Sequence, residues 1–539
     1  MSYKLEKSTH FEKPKGPVLL IIMDGVGLGK PEAGNAVYHA HTPTLDHLMT
    51  RPLYTTLKAH GTAVGMPSDE DMGNSEVGHN ALGAGRIFDQ GATRVQNAIR
   101  SGELFQGETW RHLIKNVHTK NSTLHFIGLL SDGNVHAHID HLLSMLTEAA
   151  KAGIKKGRVH ILLDGRDVAQ KSALVYIEKL ENHLAQLHKT YTTDYKIASG
   201  GGRMVVTMDR YNADWEMVRR GWHAHVLGEA ERSFSSAKEA VETFYHEDSH
   251  RFDQYLPPFV ITENAHAIGT IQDHDSVIFF NFRGDRAIEL SLAFEATELT
   301  HFDRKRVPKC VFAGMMQYDG DIQCPHHFLV TPTPIDGSVS QYLCEAGIRS
   351  FAISETQKFG HVTYFWNGNK SGYINKTLET YVEIPSINIP FDQKPAMSAV
   401  EITEKTIELL ESGQYDFGRV NFPNGDMVGH SGNFQAAVEA VEVTDRCIQK
   451  LLDAILALDG IAIILADHGN ADEMFTEKNG TRLVKTAHTL NPVPCAIVGN
   501  HLQVQLAHPL QAGLANIAAT ICNLLGYEAP NGYEPSLVK

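Results

Sequence analysis

VLLIIMDGVGLG, residues 18–29, is the stretch that decides the fold class. Six apolar residues run without a polar break, and Asp24 and a glycine-rich turn follow at once. An alternating pattern marks a strand with one wet face. An unbroken apolar run of this length marks a strand buried on both faces, as in a parallel sheet. The same pattern recurs at LHFIGLL (124–130), VHILL (159–163), VIFFNF (277–282), VFAGM (311–315) and IAIILA (461–466). Between these runs lie stretches of helical period. Ile139, Leu142, Leu143 and Leu146 fall on one face, and Gly153 is a stop. Leu174, Ile177, Leu180, Leu184 and Leu187 form a second such face. Further helices are expected over about 399–412, 435–458 and 511–525. Strands alternating with helices predict an α/β protein with mostly parallel sheets flanked by helices.

The chain has 539 residues, more than one core of ~250–300 residues can hold, so length predicts two or three domains' worth of material. Two turn-rich segments, GAGRIFDQG (83–91) and TPTPIDGS (331–338), are the candidate joints. If both are hinges, residues 90–332 form a domain inserted into one built from 1–89 and 333–539. Lys and Arg number 48 against 63 Asp and Glu, a net charge of −15, which argues against a nucleic-acid partner. The apolar runs fall far short of the ~20 residues of a membrane helix. The first of them stops at Asp24, so neither a secretory leader nor a membrane association is expected. Six cysteines, spread without a CxxC pair, predict free thiols and a cytoplasmic, reducing compartment. Thirty histidines are many for this length, and histidine is the commonest metal ligand.

In open α/β sheets the site lies beyond the carboxyl ends of the strands. Asp24 follows the first apolar run, and Asp467 and His468 follow IAIILA. FGRVNF (417–422) leads into PNGDMVGHSG, which carries Asp426 and His430, and His488 lies in KTAHT. Mixed carboxylate and imidazole donors suit Mn²⁺, Zn²⁺ or Mg²⁺. Against this, an Asp after a strand is most often a plain helix cap, so spacing alone reaches no further than a metalloenzyme. Ser75, in MGNSEVGHN, is bracketed by Gly and Asn where a helix could start. Backbone N–H groups and a positive helix end there favour an alkoxide or a phosphoserine; the plain alternative is an N-cap.

A second group follows the strands in the middle of the chain. It comprises His136 in SDGNVHAH, Arg166 and Asp167 in DGRD, Arg203 and Arg210, and Arg283 and Arg286 in FNFRGDR. Arginines so placed suit bidentate binding of a small phosphate or carboxylate. The alternative is a set of salt bridges to Asp167, Asp209 and Asp285. Lys358, in ETQKFGHVTYF, is either an anion ligand or a solvated lysine.

The segments MDGVG, MGNSEVGHN, SDGNVHAHIDH, LLDGRDV, TMDRY, FNFRGDRA, ETQKFGHVTYFWNG, NFPNGDMVGHSGN, ADHGNAD and TAHTLNPVP occur in this order from about residue 17 to about 525. Together they resemble the cofactor-independent (2,3-bisphosphoglycerate-independent) phosphoglycerate mutases of the alkaline phosphatase superfamily. The resemblance implies a phosphatase-like metal domain over 1–89 and 333–539 and an inserted α/β substrate domain over 90–332. It implies interconversion of 3-phosphoglycerate and 2-phosphoglycerate by a cytoplasmic monomer. Two divalent ions are implied, Mn²⁺ first, with Mg²⁺ or Co²⁺ as alternatives. Asp426, His430 and His488 would hold one ion; Asp24, Ser75, Asp467 and His468 would hold the other. Ser75 would accept the phosphoryl group, and Asp167 is the candidate for proton transfer. His136, Arg166, Asp167, Arg203, Arg210, Arg283, Arg286 and Lys358 would bind substrate. The glycine run before Arg203 departs from the family's usual spacing. A related phosphatase would share the metal ligands but lack the FNFRGDR and DGRD set with Lys358, and a non-enzymatic relative would have lost a ligand or the serine.

Overall fold

The structure is a computed structural model that describes every residue except 1, 2, 90, 211, 212, 320–322, 332–334, 388, 479 and 480. The chain divides into two compact units, Met1–Gln90 with Pro334–Lys539, and Gly91–Thr333. Residues 90, 332 and 333, where the expected boundaries fall, lie outside the described residues.

The first unit is built on a seven-stranded sheet. Its order is Glu379–Ile384, Ser350–Glu355, Phe417–Phe422, Val18–Met23, Ile461–Leu465, Val493–Gly499 and Tyr54–Leu57. The first five are mutually parallel; Val493–Gly499 runs against them, and Tyr54–Leu57, antiparallel to Val493–Gly499, runs in their direction. Val18–Met23 is central and buried along its whole length, as an unbroken apolar run requires. Register decides the site: Met23 pairs with Phe422 and Ile22 with Leu465. The three central parallel strands therefore end level, and the residues just after them meet at one edge. Helices Ala399–Glu411 and Phe434–Ala457 pack on each other, and the former also packs on the strands Ser350–Glu355 and Phe417–Phe422.

The second unit carries its own sheet, in the order Phe328–Val330, Val311–Met316, Ser276–Phe279, Leu124–Leu129, Lys156–Leu163, Asp194–Gly202, Phe259–Glu263 and Arg232–Phe234. The first six are mutually parallel, the last two run together against them, and a ninth short strand, His266–Ala267, pairs antiparallel with Phe259–Glu263. The fold is thus α/β with mostly parallel sheets, as the apolar runs predict. Among the described residues no helix is long and apolar enough to cross a membrane.

Two expected elements differ in extent. The strand expected over 277–282 ends at Phe279, because the Asn281 side chain, not its backbone, accepts from Leu129 N–H. The last helix starts at Asn516 rather than near 511. Ala512 is held instead by the Lys58 N–H, and Asn516 Oδ1 caps Gly513 N–H.

Candidate active site

Asp24, Asp426 and the Asp467–His468 pair are brought together by the level strand ends. Gly25 makes the approach possible: it has φ +77°, and a Cβ there would lie 2.5 Å from Asp426 N. Through this turn Asp426 N–H donates to Asp24 O at 3.0 Å, and Asn470 N–H donates to Gly25 O at 2.9 Å. Asp24, Ser75, Asp426, His430, Asp467 and His468 are buried, and His488 is 9 % exposed.

Ser75 is the first residue of helix Ser75–Ala84, and the cap is Asn74, whose side chain accepts from Val77 N–H. The capping role that sequence allowed for Ser75 is therefore filled by its neighbour. Ser75 Oγ donates to Asp24 Oδ1 at 3.1 Å and lies 2.9 Å from His468 Nε2. Lys358 Nζ donates to Ser75 Oγ, and at 2.8 Å to both Asp24 Oδ1 and Asp426 Oδ2. Lys358 is thus not a solvated lysine; it is buried among the carboxylates of its own unit.

Two groups of donors converge closely enough to hold a cation each: Asp426, His430 and His488, and Asp24, Asp467 and His468. Their chemistry fits divalent ions. His430 Nδ1 lies 2.6 Å from Thr486 O and His488 Nδ1 lies 2.8 Å from Gly73 O. A carbonyl can only accept, so each Nδ1 carries the proton and each Nε2 offers a lone pair. Those lone pairs face Asp426 Oδ1 at 3.0 and 3.1 Å, an arrangement that a metal satisfies. Neither oxygen of the buried Asp467 accepts a hydrogen bond among the described residues. Burial would raise the Asp24 and Asp426 carboxyls, but Lys358 and the neighbouring imidazoles hold both below the ordinary range. Burial would lower His468, yet Asp467, Asp24 and Asp426 raise it to about 9.

Sequence reasoning missed two supports of this centre. His79 places Nδ1 2.8 Å from Ser75 O and 3.3 Å from Asp467 Oδ2. Its spacing, four residues after Ser75 on one helix, was the available signal. Asn421 donates to Asp24 Oδ2 at 2.8 Å and reads in sequence only as a polar residue within a strand.

In the second unit, four parallel strands deliver the other group. His136 follows Leu124–Leu129, Arg166 and Asp167 follow Lys156–Leu163, Arg203 and Arg210 follow Asp194–Gly202, and Arg283 and Arg286 follow Ser276–Phe279. All seven are buried. Asp285 is their shared counter-charge: it takes Arg283 bidentately at 2.8 and 3.0 Å, with Arg210 at 3.6 Å and His136 at 3.8 Å. Burial, then Arg203, Arg283, Arg286 and Arg210, pushes His136 well below its ordinary value, so it is neutral. Burial, then Arg210 and Arg203, likewise depresses Arg286. A buried cluster of like charges is relieved by an anion. Arg203 behaves differently: its Nη1 donates to Asp164 Oδ1 at 2.8 Å and to Asp167 Oδ2. Its guanidinium holds these carboxylates in place, which makes it a support of the DGRD turn.

The Metalloenzyme superfamily model matches residues 16–529. A Leptospira interrogans protein named "Probable 2,3-bisphosphoglycerate-independent phosphoglycerate mutase" is 52% identical, over 99% of each chain. The Trypanosoma brucei brucei protein named 2,3-bisphosphoglycerate-independent phosphoglycerate mutase is 49% identical, again over 99% of each. A crystal structure of Leishmania mexicana phosphoglycerate mutase at low cobalt concentration superposes with a TM-score of 0.97. It is 49% identical and covers 99% of this chain and 100% of its own.

Proposed function

Because the chain belongs to the 2,3-bisphosphoglycerate-independent phosphoglycerate mutases, metalloenzymes that interconvert 3-phosphoglycerate and 2-phosphoglycerate, we propose that it carries the phosphoryl group on Ser75. One observation carries this reading. Ser75 Oγ is buried at a helix N-terminus, within hydrogen-bond reach of Asp24, His468 and Lys358, with a cation-holding group of donors around it.

Asp426, His430 and His488 would hold one divalent ion and Asp24, Ser75, Asp467 and His468 the other, Mn²⁺ first, then Mg²⁺ or Co²⁺. Bound there, such ions offset charge on the phosphoryl oxygens and lower the pKa of a hydroxyl. Ser75 donates its proton to Asp24 Oδ1, which turns an Oγ lone pair outward. Lys358 donates into the same oxygen and stabilises it as charge develops. Oγ attacks phosphorus in line; the Oγ–P bond forms as the bond to the 3-oxygen of phosphoglycerate breaks. In the proton balance, the proton lost by Ser75 Oγ ends on the 3-oxygen, and Asp167, a carboxylate fixed by Arg203, is the group assigned to accept from the glycerate hydroxyls. The free glycerate stays bound through its carboxylate to His136, Arg166, Arg210, Arg283 and Arg286. Its 2-hydroxyl then gives its proton to the Asp167 carboxylate as the 2-oxygen attacks phosphorus; the P–Oγ bond breaks, Ser75 Oγ takes that proton up in turn, and 2-phosphoglycerate leaves. Two in-line displacements, each inverting, give net retention at phosphorus. The six free cysteines support a cytoplasmic setting, and the chain acts as a monomer in this reading.

The test is a coupled assay of 2-phosphoglycerate formed from 3-phosphoglycerate. Turnover without added 2,3-bisphosphoglycerate, lost on chelation and regained with Mn²⁺, is the expected result. Release of inorganic phosphate in place of 2-phosphoglycerate would mark a hydrolase.

A further inference from the structure

The second unit contains a buried chain of hydrogen bonds that the proposed chemistry does not use. His125 Nε2 lies 3.1 Å from Asp275 Oδ2, and His125 Nδ1 lies 3.0 Å from His160 Nε2. His160 Nδ1 lies 2.7 Å from Ser199 Oγ, Ser199 Oγ lies 2.7 Å from His225 Nδ1, and His225 Nε2 lies 3.0 Å from Thr207 Oγ1. All six residues are buried.

Proton bookkeeping gives this chain one direction. Asp275 already takes Thr123 N–H and Gln272 N–H, and as an anion it accepts only, so His125 carries its proton on Nε2. His125 Nδ1 then accepts from His160 Nε2–H, and His160 Nδ1 accepts from the Ser199 hydroxyl. Ser199 Oγ accepts from His225 Nδ1–H, and His225 Nε2 accepts from the Thr207 hydroxyl. Each group spends one proton and every imidazole is neutral. Burial agrees: it lowers His125 and His160 and brings His225 down to about 3.

The open end of the chain is Thr207, which adopts φ +70°. A β-branched residue in that region is held there by its surroundings. Its hydroxyl is locked from two sides, by His225 and by helix Trp215–Trp222, where a Cβ on Gly221 would come 2.1 Å from Thr207 Oγ1. The next residue, Met208, accepts from Arg286 Nη1 at 2.7 Å, and Arg210 follows two residues on.

We propose that the chain from Asp275 through His125, His160, Ser199 and His225 to Thr207 positions the Thr207–Arg210 loop, and through it Arg210 and Arg286. These are positioning residues; none touches a reacting atom. The proposal rests on the reading that these arginines bind phosphoglycerate.

The test compares Thr207→Val, which keeps the branched shape and removes the donor, with Thr207→Ser, which keeps the donor. Ser199→Ala cuts the chain at its middle, and Arg286→Lys reports on the pocket itself. Losing one hydrogen bond that orients charged groups should raise the KM for 3-phosphoglycerate about tenfold in Thr207→Val and Ser199→Ala, with kcat within about threefold. Thr207→Ser should stay within about twofold of wild type. Imidazole nitrogen NMR of the wild-type holoenzyme should show neutral rings, with the proton on Nε2 in His125 and His160 and on Nδ1 in His225. An unchanged KM in Thr207→Val and Ser199→Ala beside a raised one in Arg286→Lys overturns the positioning role alone. An unchanged KM in all three overturns the pocket assignment with it. If Thr207→Val does not fold, Ser199→Ala and the tautomers decide, and a charged or oppositely protonated ring in the chain contradicts the proposal.

Discussion

His430 Nε2 and His488 Nε2 face each other at 3.0 Å, each with its Nδ1 turned to a backbone carbonyl. Two lone pairs beside a carboxylate oxygen call for a cation. Chelated protein should therefore lose turnover by several orders of magnitude and regain it with Mn²⁺, since stabilising the phosphoryl charge is the main catalytic contribution. Elemental analysis after Mn²⁺ loading should find two ions per chain in the wild type and one in His488→Ala. Equal metal content in the two proteins would remove His488 from the ligand set.

Arg203 should matter for stability more than for substrate. Arg203→Met leaves Asp164 and Asp167 buried without their cation, a change that costs about 3–5 kcal/mol. Arg210→Ala should cost far less stability and act on KM. Urea unfolding of both variants checks the contrast, and equal midpoints would count against it.

Acid should destabilise the second unit through its buried histidines. The folded pKa of His225 is about 3, below its unfolded value, which is about 6.5. The folded protein therefore binds fewer protons, so this contribution is fully present above pH ~6.5 and is lost as pH falls toward ~3. Its slope approaches about 1.4 kcal/mol per pH unit, and His125 and His160 shift the same way. His468, raised to about 9 in the metal-free protein, has the opposite sign: its contribution is present below pH ~6.5 and is lost as pH rises through about 9. Melting curves of chelated protein from pH 7.5 to 5 should fall, and His225→Gln should flatten them. A His225→Gln curve parallel to wild type would show that His225 is protonated in the folded protein.

The parallel core was readable where its strands, buried on both faces, are unbroken apolar runs, as in Val18–Met23 and Ile461–Leu465. Asp24, Asp467 and His468 were readable for the same reason, since each ends such a run. Asp194–Gly202 was not: DYKIASGGG has no apolar run and alternates only over its first four residues, and its strand is made by its partners on both sides. Arg203 and Arg210 look alike in sequence, each just beyond that strand. What separates them is Asp164 and Asp167, which arrive from a different strand. Lys358 shows the same limit, because its carboxylate neighbours lie 334 and 68 residues away in sequence. Pairings made only by folding leave no local pattern.

The central claim is that the phosphoryl group passes through Ser75, and rapid acid quench addresses it most directly. Enzyme mixed with phosphorus-labelled 3-phosphoglycerate and quenched during turnover should carry label on the peptide containing Ser75. Ser75→Ala should carry none and lose mutase activity. Its melting temperature should stay near wild type, since Asn74 rather than Ser75 caps the helix. Wild-type-like turnover in Ser75→Ala, or full turnover with label on a different residue, would contradict the account.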